Sequence, residues 1–252
     1  MNTEFAGKTA LVTGASRGIG AATAVALARR GVARLVLHYN SHRPGAESIA
    51  AEVRAAGAAA DLIEADLSEV SGIHALAGAL EGTAFDIVVN NAGSLVRRTR
   101  LAEFDDALWD RVMNVNVRSV YFLCQAVAPA MAARGSGVIV NLASIAARNG
   151  GGLGATVYAA AKAAIVAMTK GLAKELAPQG IRVNAVSPGT VDNYFHEQFS
   201  TRQILDSVIA MTPAGRLATN EDIADTIVFL CSDAARYIHG QTIEVNGGML
   251  AP

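Results

Sequence analysis

Short apolar runs alternate along the 252-residue chain with longer stretches in which apolar positions recur every three or four residues. The runs at 9–12, 35–37, 61–64, 87–89, 138–141, 182–186 and 242–245 read as seven strands. Residues 19–30, 45–56, 70–79, 109–133, 157–177 and 220–231 have the length and period of helices. Strand and helix therefore take turns, the rhythm of βαβ units around a parallel sheet. The run Ile87-Val88-Val89 lacks polar alternation, which suits a sheet covered on both faces. Two stretches break the rhythm, the glycine-rich 146–156 and the long 190–216. The first is expected to shape a pocket wall and the second to form a substrate lid. There is no repeat and no linker, so residues 1–252 are read as a single α/β domain, doubly wound.

Composition narrows the function classes. Hydrophobic residues make up 52% and charged residues 17%, which excludes extensive disorder. A net charge of −1 removes the electrostatic case for nucleic acid or an anionic membrane as partner. Met1–Gly7 carries Glu4 and no apolar run, so no secretory signal is expected and the expected location is cytoplasmic. The apolar stretch 157–173 is interrupted by Lys162, Thr169 and Lys170, against a bilayer span. Cys124 and Cys231 each lie in an apolar helical pattern and read as reduced packing residues, with no metal centre expected.

Between the first strand and first helix lies Thr13-Gly14-Ala15-Ser16-Arg17-Gly18-Ile19-Gly20. Glycines there let the backbone turn sharply against a pyrophosphate, and the helix N-terminus offers free N–H groups and a positive dipole end. The spacing differs from G-x-G-x-x-G and resembles the T-G-x-x-x-G-x-G turn of the short-chain dehydrogenase/reductase family. Further matches follow in order: Asp66-Leu67, Asn90-Asn91-Ala92-Gly93, Asn116 between two valines, Ser144, Tyr158-x-x-x-Lys162, Asn184 to Gly189, and Val245-Asn246-Gly247-Gly248. The chain is similar over almost its whole length to family members that reduce 3-oxoacyl groups on acyl carrier protein. The resemblance implies a Rossmann fold and a catalytic set of Asn116, Ser144, Tyr158 and Lys162.

On a helix, Tyr158 and Lys162 share one face. A phenol with pKa about 10 is a poor base at neutral pH, and a neighbouring ammonium together with the positive charge of oxidised nicotinamide is expected to lower it. By resemblance, Tyr158 passes the proton, Ser144 holds the substrate oxygen, and Lys162 bonds the nicotinamide ribose. Asn116 sustains a helix irregularity and a water route to Lys162, with Asn114 the competing asparagine. Asp66 and Ser68 allow two readings, a helix cap or an adenine contact, and these can coexist. Asn90 reads as a stabiliser of the central strands. The resemblance extends the cofactor set to Leu67, Asn91, Ala92, Gly93, Pro188, Gly189 and Val191. Asn193 stands where many relatives carry a threonine that touches the cofactor. Tyr194, Phe195 and Phe199 form an aromatic patch that either packs the lid or meets substrate.

The expected cofactor is NADP(H). An acid at the end of the second strand selects NAD by accepting hydrogen bonds from the ribose, and no Asp or Glu occurs between Arg34 and Ala46. Tyr39, Asn40 and Ser41 occupy that position instead, with Arg17 and Arg43 as candidate phosphate partners. A solvated Arg17, and an Arg43 that only precedes the turn at Pro44, is the plainer alternative. The expected substrate is a 3-oxoacyl thioester or other small ketone, the alternative a sugar or polyol. A non-catalytic nucleotide sensor is the reading from another class. Arg134 and Lys174 are available to an acyl carrier protein, although Val138 stands where an arginine is common in such reductases. A homotetramer is expected, with a dimer as the fallback.

Overall fold

The computed structural model describes residues 4–251, so the first three residues of the N-terminal stretch lie outside it. Seven strands form: β1 (Thr9–Val12), β2 (Arg34–Tyr39), β3 (Ala59–Glu64), β4 (Ile87–Asn90), β5 (Gly137–Leu142), β6 (Ile181–Pro188) and β7 (Thr242–Val245). They pair in parallel in the order β3-β2-β1-β4-β5-β6-β7, which confirms the parallel sheet expected from the alternation and the Rossmann fold implied by the resemblance. On one face lie α1 (Gly18–Arg29), α2 (Arg43–Ala55) and α10 (Asn220–Cys231), sharing a core with Leu27, Val53, Ile223 and Ile227. The other face carries α3 (Val70–Leu80), α5 (Ser119–Arg134) and α7 (Thr156–Leu176), whose core includes Ile73, Leu123, Met131 and Ile165. Continuous apolar strands arise because both faces are buried, as at fully buried Val88 and Val89.

The chain leaves β1 toward β2 and β3, then returns to β4 and builds outward the other way. A crevice opens where that direction reverses, at the carboxyl ends of β1 and β4. The glycine turn and Asn91-Ala92-Gly93 flank it.

The single helix expected over 109–133 is divided into α4 (Asp106–Met113), a π-helical turn (Asn114–Arg118) and α5. Asn116 explains the wider turn: its Nδ2 donates to Val112 O at 2.9 Å and to Ser94 O at 2.7 Å, tying the helix to the loop after β4. The irregular stretches also hold more structure than their sequence suggested. Residues 146–156 contain the single turn α6 (Ala146–Asn149), and 190–216 contains α8 (Tyr194–Phe199) and α9 (Arg202–Met211). Caps start both of the latter, since Asn193 accepts from Phe195 N at 3.1 Å and Thr201 from Ile204 N at 3.3 Å. Among the described residues, no helix is long and apolar enough to cross a membrane.

Candidate active site

A cavity of about 700 Å³ runs from the glycine turn past the ends of β4 and β5 to α8 and α9. At one end the backbone is held by side chains beneath it. Gly14, at φ +65°, donates its N–H to His38 Nδ1 at 3.2 Å, and His38 Nε2 contacts Ala65 O at 3.0 Å. Those two contacts place the proton on Nε2, and burial holds His38 neutral, its pKa down to about 4. Asn91 Nδ2 donates to Thr13 O at 2.8 Å and Gly14 O at 3.1 Å. Gly20 is obligatory here, because a Cβ would strike Gly14 O and Asn91 Nδ2. The result is a fixed concave turn at the N-terminus of α1, the shape and polarity a pyrophosphate requires. A dinucleotide fits these residues.

Ser16, Arg17, Gly18 and Ile19 line this end together with Asp66 and Leu67. Asp66 also makes a local turn, accepting from Ser68 N at 2.8 Å, so the capping reading and the wall position coexist. Asn40 lines the cavity, whereas Tyr39 and Ser41 do not. Strand alternation is the reason: His38 and Asn40 face the cavity, and Tyr39 turns away to donate its hydroxyl to Glu64 Oε2 at 2.8 Å. Arg43 is exposed and paired with Glu47 at 2.9 Å. Arg17 instead lies over the Tyr194 ring, 3.8 Å from its centroid, joining the glycine turn to α8.

At the other end Ser144, Tyr158 and Lys162 converge. Tyr158 comes from the first turn of α7 and Ser144 from the loop after β5. Burial pushes the Tyr158 phenol up to about 12, while its hydrogen bond with Ser144 pulls the other way. Lys162 is also buried, which brings its ammonium down to about 8, and its Nζ donates to Leu142 O at 2.7 Å. The ammonium by itself does not lower the phenol. Nζ lies 5.7 Å from the ring centroid, and desolvation is the larger influence on the phenol. At neutral pH the phenol therefore holds its proton and the lysine is largely charged. Gly93 packs against both Lys162 and Asn116, since a Cβ there would come 3.0 Å from Nζ and 2.8 Å from Oδ1.

Asn116 sits behind this end, fully buried, and does not line the cavity. Asn114, its competitor, donates to Ser68 O at 2.9 Å, remote from Lys162. Asn90 donates to Asn141 Oδ1 at 2.9 Å, inside the sheet. Ala92, Gly93, Pro188, Gly189, Val191 and Asn193 all line the cavity. Asn193 is committed to protein partners, capping α8 and donating to Asn220 Oδ1 at 2.9 Å. Phe195 bridges two aromatics, with ring centroids 5.8 Å from Tyr158 and 5.0 Å from Phe199. Arg134 and Lys174 lie away from the cavity, and Arg134 is spent on Phe85 O and Ala130 O. Sequence reasoning assigned no role to several wall residues, among them His38, Arg98, Arg111, His196 and Gln198. Alternation within β2 signals the first; nothing local signals the others.

Residues 14–250 match the family described as Enoyl-(Acyl carrier protein) reductase. The chain is 40% identical over 249 residues to 3-oxoacyl-[acyl-carrier-protein] reductase FabG of Escherichia coli K12, covering 97% of this chain and 98% of that protein. It superimposes with a TM-score of 0.92 and 38% identity on a Beutenbergia cavernae protein assigned as an NAD(P)-dependent gluconate 5-dehydrogenase with bound NADP, covering all of both chains. An Agrobacterium tumefaciens protein assigned as a 2-deoxy-D-gluconate 3-dehydrogenase with bound NADP gives a TM-score of 0.90 at 36% identity, covering 100% of this chain and 99% of that one. Glycine turn, crevice and tyrosine–lysine pair thus meet in one cavity of a chain that belongs to the short-chain dehydrogenase/reductase family, an NAD(P)-dependent oxidoreductase acting on CH–OH groups.

Proposed function

We propose that the protein is an NADP(H)-dependent reductase of a 3-oxoacyl thioester or other small ketone. One observation carries this reading: a half-buried Tyr158, its hydroxyl desolvated and bonded to Ser144, at the end of a cavity whose other end is a glycine turn. Reduced nicotinamide, when bound, supplies the hydride. Tyr158 then delivers its proton to the carbonyl oxygen, and Ser144 orients and polarises that oxygen. Lys162, held on Leu142 O, presents its remaining N–H donors to the nicotinamide ribose. Asn116 fixes the loop after β4 and the wall beside Lys162. Gly14, Ser16, Arg17, Gly18 and Ile19 take the pyrophosphate and adenosine ribose, with Asn40 beside the 2′-position and Asp66 and Leu67 at the adenine. Gly93, Pro188, Gly189 and Val191 form the nicotinamide wall.

Preference for NADP(H) is supported by the missing acid at the end of β2 and by Arg17 on the cavity wall. The substrate class is supported by the similarity to FabG over nearly the full length. A second reading, oxidation of a sugar or polyol, draws on the two sugar-acid dehydrogenases among the solved structures and on the polar wall residues Asn149 and Gln198. Residues 190–216 serve as the lid in either case. A homotetramer in the cytoplasm, with the alanine-rich α7 in its interfaces and an acyl carrier protein as possible substrate carrier, belongs to the same proposal. Light scattering at micromolar concentration should give a tetramer mass, and a monomer mass contradicts it.

Initial rates with acetoacetyl thioesters, activated ketones and polyols, each with both cofactors, test the reading. NADPH should support ketone reduction with the higher kcat/KM, and Arg17→Ala should narrow that preference about tenfold. Equal or better efficiency with NADH overturns the cofactor assignment, and polyol oxidation without ketone reduction installs the second reading.

A further inference from the structure

The cavity wall is charged in one sense. Arg17, Arg98, Arg111 and Lys162 line it, whereas Asp66, at the nucleotide end, is the only acidic lining residue. Lys162 and Arg17 already have work in the function proposed above. Arg98 does not. It is half-buried on the loop after β4, and desolvation lowers its pKa from the usual guanidinium value. No Asp or Glu pairs with it among the described residues. Its Nε donates to Phe199 O at the end of α8, and Nη1 donates to Leu153 O at 2.9 Å, just before the helix that carries Tyr158. A guanidinium has five N–H donors, so most of its donor capacity is left over, in a wall that holds no counter-charge beside it.

The backbone that presents Arg98 is strained. Val96 has φ +60°, the only non-glycine residue with positive φ among those described. For a β-branched residue that conformation is an outlier, and such strain persists where surrounding contacts enforce it. Here Ser94 is clamped by Asn116 on both its N–H and its carbonyl, Ser94 Oγ accepts from Val96 N at 2.9 Å, and Thr99 N donates to Gly154 O at 3.2 Å. Both ends of the loop are thus fixed with Arg98 between them. From Tyr158 the wall continues through Phe195 and Phe199 to the carbonyl that Arg98 holds.

We infer that Arg98 is the anchor for a carboxylate on the substrate, so that the carbonyl compound is a keto acid with its anionic group a few bonds from the reacting carbon. The inference rests on the carbonyl-reductase reading and, within it, selects a small ketone that carries a free carboxylate over the thioester. A carboxylate meets the spare N–H groups in charge-assisted bonds and supplies the missing counter-charge. The Arg98 bonds to Leu153 and Phe199 make the same side chain a tie between the Tyr158 helix and α8, so binding of the anion and position of the lid act on one residue.

The test compares keto acids of the form CH3–CO–(CH2)n–COO−, with n from one to four, against their primary amides, using NADPH. A neutral activated ketone serves as the charge-free reference. Wild-type enzyme should prefer the acid of the best-fitting length about tenfold to hundredfold in kcat/KM. In Arg98→Gln that preference should vanish through KM, and Arg98→Lys should restore part of it. Rates within one variant form the ratio, so a general loss from a loosened lid cancels. Reduction of the neutral ketone with no acid preference at any length overturns the anchor and leaves the reductase reading standing. An unchanged ratio in Arg98→Gln does the same. No NADPH oxidation with any carbonyl, the neutral ketone included, overturns both.

Discussion

The two ends of the cavity are built by different means. At the nucleotide end, side chains shape backbone: His38 holds Gly14 N–H, Asn91 holds the carbonyls of Thr13 and Gly14, and Ala92 N donates to Thr13 Oγ1. All these groups sit at or just beyond the ends of adjacent strands β1, β2 and β4, so register alone brings them together. At the carbonyl end the wall is made of side chains from separated segments: Ser144, Tyr158, Lys162, Arg98 and Phe195. Arg98 and Phe199 are 101 residues apart in sequence. A cradle made of backbone binds what all relatives share. A wall made of long-range side-chain contacts can change substrate without disturbing that cradle.

The contrast breaks first at Lys162, which serves the chemistry at a cost to the fold. Lys162→Met should lower turnover about hundredfold and also weaken NADPH binding. Stability should move the other way with pH. Burial brings the lysine down to about 8 in the folded protein, against an ordinary value of 10.5. Between those values the unfolded chain still binds the proton that the folded form has released, so wild-type stability rises as pH climbs from 8 to 10.5. Relative to Lys162→Met, which lacks this titration, wild type should gain about 3 kcal/mol across the window. Urea unfolding of both proteins at each pH measures it. Tyr158 is present in both, so its own titration cancels to first order. A pH-independent difference refutes the burial argument.

Gly20→Ala probes the cradle alone. The new Cβ meets a carbonyl and the Asn91 amide, and the backbone cannot yield cheaply. NADPH affinity, followed by nicotinamide fluorescence, should fall about tenfold or more. Retained affinity means that the turn is softer than its contacts imply. Asn193→Ala probes α8 and should have the smallest effect. It removes the cap of α8 and the bond to Asn220, worth about 1 kcal/mol. Substrate KM should rise a few-fold while NADPH affinity changes less. An NADPH loss larger than the substrate loss would make Asn193 a cofactor residue first.

The same division explains what the sequence made legible. Alternation of strand and helix gave the sheet and its two covered faces, because continuous apolar runs follow from burial on both sides. Glycine spacing gave the turn, because Gly14 and Gly20 answer to backbone geometry and space. Tyr158 and Lys162 were legible through the family's Y-x-x-x-K pattern, and helical spacing puts them on one face. Tyr39, one step of strand alternation from His38 and Asn40, bonds Glu64 and lies off the cavity that those two line. The helix irregularity at Asn116 was expected from the resemblance, but its partner, a loop 22 residues away, was not, and α8 depends on a cap within an irregular stretch. Residues 204, 205, 208 and 211 do carry the apolar spacing of α9, a signal submerged in the length of the surrounding loop. The raised phenol at Tyr158 could not be foreseen, since spacing reveals the lysine's charge but not the burial that outweighs it.

The central claim is that one cavity holds the cofactor by its backbone cradle and passes the proton through Tyr158. Paired measurements on Tyr158→Phe test it most directly: NADPH affinity by fluorescence titration, and NADPH-dependent turnover of the best carbonyl substrate. Removing only the hydroxyl should leave affinity within about threefold and lower turnover between roughly hundredfold and ten-thousandfold. Near-normal turnover in a variant that still binds NADPH contradicts the account.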